Sequence, residues 1–454
     1  MADFIQKLID NIPDYQQFLT VDEMDENSKR LAAEFPGIVE IFEAGKSRKG
    51  HPIYCLKIGQ GSRNALMFGC PHPNEPMGAM MLEYFSRRLC EDEALRRELG
   101  YTWYLIKSID VDGTKLNEGW FKGPFTITNY ARNFFRPVGS EQAEWTFPFT
   151  YKNYSWTTPI PETQVLMNII DRVKPEFMYS LHNAGFGGAY WYVSGDEPSL
   201  WDGFYKAAEK QNVPLNLGEP EMVYVTQYAP ACYKMTGSKD SYDYYEQSME
   251  HPEAMMSCGT SSDDYASQYG TYTLVAELPY FFSRKIVSDT IMPFTRAEAA
   301  IKGEQVSHDQ IEQIGKILEP VKPWLTEDNP FPKIVLLSVD KNDASTQAQI
   351  DYYKKTEAYQ QPCKESEAFD CLDITRFYTL LSWGLSVRAI NYAIEHTNID
   401  PQLAKTALEQ AQAGFDKLAA ELENDIDYSV VPIRSLIGVQ LESGMLVADL
   451  LRSK

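Results

Sequence analysis

Three nearly unbroken apolar runs, ALMFGC from Ala65, EFMYSLH from Glu176 and TYTLVAEL from Thr271, constrain this chain more than any other feature. A strand that is apolar on both faces has to be covered on both, and such strands belong to the sheets of α/β folds. Helical period separates them. Over 76–99, Met77, Met80, Met81, Tyr84 and Phe85 fall on one side, and Pro76 suits a first helical position because it has no N–H to leave unpaired. Further helices are expected over 15–35, ending at Pro36-Gly37, over 161–173 and near 198–212, with additional strands starting at 38, 52, 102 and 190. The alternation argues for an α/β domain with a largely covered sheet.

The pattern changes near residue 300. The stretch LEPVKPWLTEDNPFPK, 318–333, concentrates prolines and reads as a connection, and the segments from 373 and 400 have helix period and composition. With 454 residues, more than one hydrophobic core usually serves, we expect an α/β domain over 1–300 and a mostly helical region over 301–454. The run FYTLLSWGLSV from Phe377 is apolar enough to need burial, so the tail should dock on the first domain and restrict access to its site; a dimer face is the other use for such a stripe, so an oligomer is possible.

Charge excludes some partners. Against 42 Lys and Arg stand 64 Asp and Glu, a formal net charge of -22, which repels nucleic acid and anionic membrane surfaces. The first residues mix acids with apolar side chains and show no signal-peptide pattern, and no apolar run of about 18 residues could span a bilayer. Seven scattered cysteines without C-x-x-C spacing fit a reduced, cytoplasmic protein.

The chemistry sits where the apolar runs stop. His72 and Glu75 lie three positions apart just past the first run, and an imidazole with a carboxylate offers two ligands of the kind a catalytic zinc uses; the plain alternative is a polar surface turn. His182 ends the second run and opens the Gly-rich HNAGFGG, the position where open α/β sheets bind ligands, although a core histidine would read the same way. Glu277 is a single carboxylate inside the third run, costly to bury unless it has a partner or a task such as taking a proton from water. Arg132 and Arg136, in NYARNFFRP, are candidates for binding a carboxylate or an oxyanion, or else for pairing with buried acids.

In this order and spacing, His72-x-x-Glu75, His182 and Glu277 resemble the zinc carboxypeptidase family typified by carboxypeptidase A. The upstream AGKSRKGHPIYCLKIG and the helix start PIPETQVL resemble that family too, over about residues 10 to 290. The resemblance implies a mixed central sheet flanked by helices and one zinc per chain, held by His72, Glu75 and His182, with Glu277 activating water. It implies that Arg132, beside Asn133, anchors the terminal carboxylate of a substrate, although Ala131 stands where the family usually has Asn. The family's oxyanion Arg has no clear counterpart; Lys122 is the nearest basic residue upstream. Asn183 next to the third ligand is a further substrate-binding candidate. Tyr245, with Tyr242 and Tyr244, is a substitute for the family's mobile Tyr, and Asp264, beside Asp263, lies near the usual specificity position and would favour a basic group.

The activity implied is zinc-dependent cleavage of a C-terminal amide bond in a peptide, or in an acyl-amino acid with a free carboxylate. The alternatives are an amidohydrolase or deacylase acting on a small N-acyl amino acid or cell-wall peptide, and a catalytically silent peptide-binding relative.

Overall fold

The computed structural model describes residues 2–247 and 249–454. Its centre is a nine-stranded mixed sheet. In chain order the strands are β1 (Val39–Lys46), β2 (Pro52–Ile58), β3 (Arg63–Gly69), β4 (Tyr101–Ile106), β5 (Phe177–Leu181), β6 (Tyr190–Val193), β7 (Gln227–Ala229), β8 (Cys232–Lys234) and β9 (Tyr272–Glu277). They lie side by side as β1-β2-β4-β3-β5-β9-β6-β8-β7. The central four, β4, β3, β5 and β9, are parallel, and β6 returns antiparallel against β9.

The three apolar runs are these inner strands, and alternation sends their side chains into two separate cores. Met67 and Tyr179 face one core, while Leu66, Phe68 and Met178 face another that is closed by Val165, Leu166 and Ile169 of the helix Pro161–Val173. The first face is covered by the helices Met77–Glu91 and Pro198–Lys210 and by the last helix of the chain, Ile433–Ser453.

Two expected helices have different bounds. The first begins at Val21, where Thr20 forms a reciprocal capping box with Glu23. The segment 76–99 is two helices, because Asp92 accepts a hydrogen bond from the Leu95 N–H and starts Glu93–Leu99 as a new one.

The C-terminal region is helical, as expected, and firmly docked. The helix Arg296–Leu318 runs across residue 300 without a break. On the sheet, the Tyr179 hydroxyl donates to the Gln440 carbonyl at 3.0 Å and the Trp191 indole N–H to Ser443 Oγ at 3.0 Å. Gly444 permits this approach, since a Cβ there would stand 2.7 Å from the Tyr179 ring. The start of another tail helix, Thr375–His396, reaches the carboxyl ends of the strands. Phe377, on Thr375–His396, stacks on Tyr130 with ring centroids 5.9 Å apart, and the Arg388 guanidinium donates to the carbonyls of Leu116, Asn133 and Phe134. Among the described residues no helix is long and apolar enough to cross a membrane.

Candidate metal centre and cleft

Register brings the three apolar runs to one line. Gly69 and Ala276 are both paired with Leu181, so the chain leaves β3, β5 and β9 at the same level. His182 is the next residue after β5, and Glu277 is the last of β9. After β3 the chain turns sharply through Cys70, which has φ 50, and delivers His72 and Glu75 before the helix Met77–Glu91 begins. Gly78 lets that helix sit close over the strand ends, because a Cβ would meet Leu181 Cβ at 2.5 Å.

His72, Glu75 and His182 are all buried, and one ligand atom from each lies within 4.8 Å of the others. Both histidines present Nδ1 to the same carboxylate, His72 at 3.0 Å from Oε1 and His182 at 3.0 Å from Oε2, with the two Nδ1 atoms 3.2 Å apart. Two imidazole nitrogens this close cannot both be protonated cheaply, and a divalent cation accepting their lone pairs resolves the conflict. The donor set is that of a catalytic zinc with a position left open.

The far side of His182 is organised to the same end. Its Nε2 lies 2.9 Å from Ser180 Oγ, which donates to Glu144 Oε2 at 3.2 Å, and Glu144 also accepts from the Ser262 hydroxyl at 2.6 Å. A serine that donates to a carboxylate accepts from the imidazole, so Nε2 carries a proton, and Nδ1 is the nitrogen that would serve a metal once it gives up the proton it shares with Glu75. Burial raises the Glu144 carboxyl above its ordinary value, with His182 and Ser262 opposing.

Electrostatics differ between the two histidines. Burial and the Arg136 guanidinium push His72 down to about 3. Burial acts the same way on His182, but its hydrogen bond to Glu75 and the charges of Glu75, Glu277 and Glu144 outweigh it and hold it up at about 9. Glu277 is 8% exposed, and its Oε1 lies 3.7 Å from His182 Nδ1. Burial pushes its carboxyl well above the usual range, and the Glu75 and Glu221 carboxylates add to this against the pull of His182.

His72, Glu75 and Glu277 line a cavity of about 370 Å³. Asn183 lines it too: its N–H donates to Glu75 Oε2 at 3.3 Å, and its side chain bridges the Leu278 carbonyl and the Tyr280 hydroxyl. Arg136 brings a guanidinium, with Nη2 2.8 Å from His72 Nε2 and Nη1 3.6 Å from Glu75 Oε1.

The other candidate residues do not line this cavity. Arg132, on the helix Ile127–Asn133, is exposed, pairs with Asp416 at 3.3 Å and lies over the Phe415 ring. Lys122 is held by Glu23 and the Phe18 carbonyl. Asn133 bonds back to Asn129 one turn earlier. Tyr245 packs against Tyr244 on the helix Ser238–Glu246. Asp264 is engaged by Thr260 near the start of another helix, Ser262–Ala266.

Groups that sequence reading passed over complete the wall: Tyr190, Glu219, Glu221, Asp370 and Tyr378. Tyr190 had a signal, since it begins a strand in the run YWYVS, and Tyr378 lies in the apolar run from Phe377 expected to dock; Asp370 had none.

The sequence model of the zinc carboxypeptidase family matches residues 24–281. Among solved structures, carboxypeptidase A from Helicoverpa armigera is similar at 15% identity and a TM-score of 0.40, covering 62% of this chain and 71% of that one. A metallo-carboxypeptidase from Burkholderia cenocepacia is similar at 16% identity and a TM-score of 0.32, covering 57% of this chain and 60% of that one. The murein-tripeptide amidase of Escherichia coli O157 is similar at 16% identity and a TM-score of 0.27, covering 58% of this chain and 89% of that one. No curated protein matches.

Proposed function

Since the chain belongs to the zinc carboxypeptidase family, we propose that it is a zinc-dependent hydrolase cleaving an amide bond next to a free carboxylate in a small peptide or acyl-amino acid. The observation that carries this reading is the convergence of His72, Glu75 and His182 beside a buried Glu277 at the ends of three aligned strands.

His72, Glu75 and His182 hold the metal, through Nδ1 of each imidazole. When bound, zinc supplies a Lewis acid that polarises a carbonyl and lowers the pKa of water toward neutrality. Glu277 takes the proton from the attacking water and returns it to the leaving nitrogen; a carboxylate whose basicity is raised by burial suits both transfers.

Arg136 replaces Arg132 in this reading. Guanidinium only donates, so its present contact requires His72 Nε2 to accept. Once His72 gives the Nδ1 lone pair to a metal, the proton moves to Nε2, the contact becomes donor against donor, and Arg136 is free to bind a substrate oxygen in the cavity. Its fork suits a carboxylate or a developing oxyanion. Small substrates are favoured because Ile374, Thr375 and Tyr378 of the docked tail close the cavity.

Glu277→Gln tests the reading. The variant should keep its fold and zinc and lose turnover of N-acyl amino acids and short peptides by roughly three to four orders of magnitude. Near-normal turnover would remove Glu277 from the role of base.

A further inference from the structure

The half of the cavity away from the metal ligands is acidic, and among the described residues two of its carboxylates lack cationic partners. Glu219 is satisfied: Arg296 grips it with two hydrogen bonds of 2.5 Å, and Tyr359 donates to it at 2.8 Å. Among the described residues Glu221 accepts only from the Tyr192 hydroxyl, at 3.2 Å, and the Asp370 side chain only from the Glu219 backbone N–H, at 3.0 Å. Burial and the Glu219 carboxylate push Asp370 up to about 8, so a cation beside it would be met by a gain in its charged form.

A second feature points at a ligand independently of these acids. Tyr190 is 8% exposed, lines the cavity, and has no hydrogen-bond partner for its hydroxyl among the described residues. A buried phenol normally finds one. Tyr190 is paired in register with Glu277 and shares its strand face with Tyr192, whose ring is 5.9 Å away and whose hydroxyl reaches Glu221. The unpaired hydroxyl therefore stands between the proposed base and the acidic wall. Asp370 is presented from a π-helical turn, Asp370–Ile374, that runs straight into Thr375–His396. Such widened turns recur at functional sites. This turn lies outside the residues 24–281 that the family model covers, whereas Tyr190 and Glu221 lie within them.

We propose that Glu221, Asp370 and Tyr190 form a subsite for a cationic side chain, an ammonium or guanidinium, on the residue whose amide bond is cleaved. The proposal rests on the hydrolase reading above and adds the substrate class. The preferred substrate has a carboxylate for Arg136 at one end of the cavity and a positive group for Glu221 and Asp370 at the other, as a basic or diamino acid does.

The test uses the zinc-loaded full chain with two substrates of similar shape, acetyl-alanyl-lysine and acetyl-alanyl-norleucine. We expect kcat/KM to favour the lysine compound by about tenfold or more, as a charge-assisted contact in a shielded site should give. In Glu221→Gln the ratio should fall toward one. In Glu221→Lys it should invert, with acetyl-alanyl-glutamate preferred over the lysine compound. Equal use of the lysine and norleucine compounds by the parent would overturn the subsite and leave the hydrolase reading standing. The same pair is also measured by equilibrium binding to zinc-loaded Glu277→Gln. Tighter lysine binding there, lost in Glu221→Gln, supports the subsite even when the parent cleaves neither compound, an outcome that would refute the hydrolase reading alone. Equal binding of the two compounds overturns the subsite on this arm as well.

Discussion

The ends of β3, β5 and β9 and the helices of the C-terminal region face each other across one cleft and bring opposite kinds of group to it. The strand ends supply imidazole and carboxylate groups held by register and by buried hydrogen bonds, as in the path from Glu144 through Ser180 to His182. The tail supplies walls: Asp370, Ile374, Thr375 and Tyr378. One region provides reactive chemistry that a family can share, and the other the shape and charge that one chain can make its own. Neither is separable physically, because the last helix covers the sheet beneath the site and Gln440 donates to the carbonyl of His182 at 3.2 Å.

Ending the chain at Leu318 gives the largest expected effect. It strips the helix Ile433–Ser453 from Tyr179 and Trp191 and uncovers one apolar sheet face, so the fragment should be insoluble or lack a cooperative melt in thermal unfolding. A soluble, active fragment would mean that the tail is dispensable and the comparison misdrawn.

Next in size is Arg136→Ala, which should lower kcat/KM by about a hundredfold, in the range found when an oxyanion donor is removed. Ser180→Ala interrupts support for His182 from behind. It should weaken zinc binding by about tenfold in chelator competition, with little change in the melting curve. Smallest of all is Arg132→Ala. Its ion pair with Asp416 is exposed on the tail side, so activity should change by less than about twofold and stability by under about 1 kcal/mol. A large loss of activity at Arg132 would restore the anchor that family position suggested and displace Arg136.

The legible part of this molecule is what local pattern can carry. His182 and Glu277 stood out because each is a polar residue at the end of an apolar strand, where burial is expensive without a purpose. The α/β alternation and the helical tail were visible in the same way. Helix ends were less so: Asp92 divides the helical stretch by a single side-chain cap that periodicity does not register. The surroundings of Arg132 were not legible from its motif, because its direction depends on a short helix packed against tail residues almost three hundred positions away. Asp370 had no signal at all, and Tyr378 only the general one of belonging to an apolar run that needs burial. Their meaning arises only when the tail folds back over the strand ends, and that contact is tertiary.

The central claim is that His72, Glu75 and His182 form a single zinc site, and metal content tests it most directly. Elemental analysis of the purified full chain beside its His182→Ala variant should find one zinc per chain in the parent and almost none in the variant, with both showing the same secondary structure by circular dichroism. Equal zinc in the two proteins, or a parent that takes up no zinc when it is offered, would contradict the site.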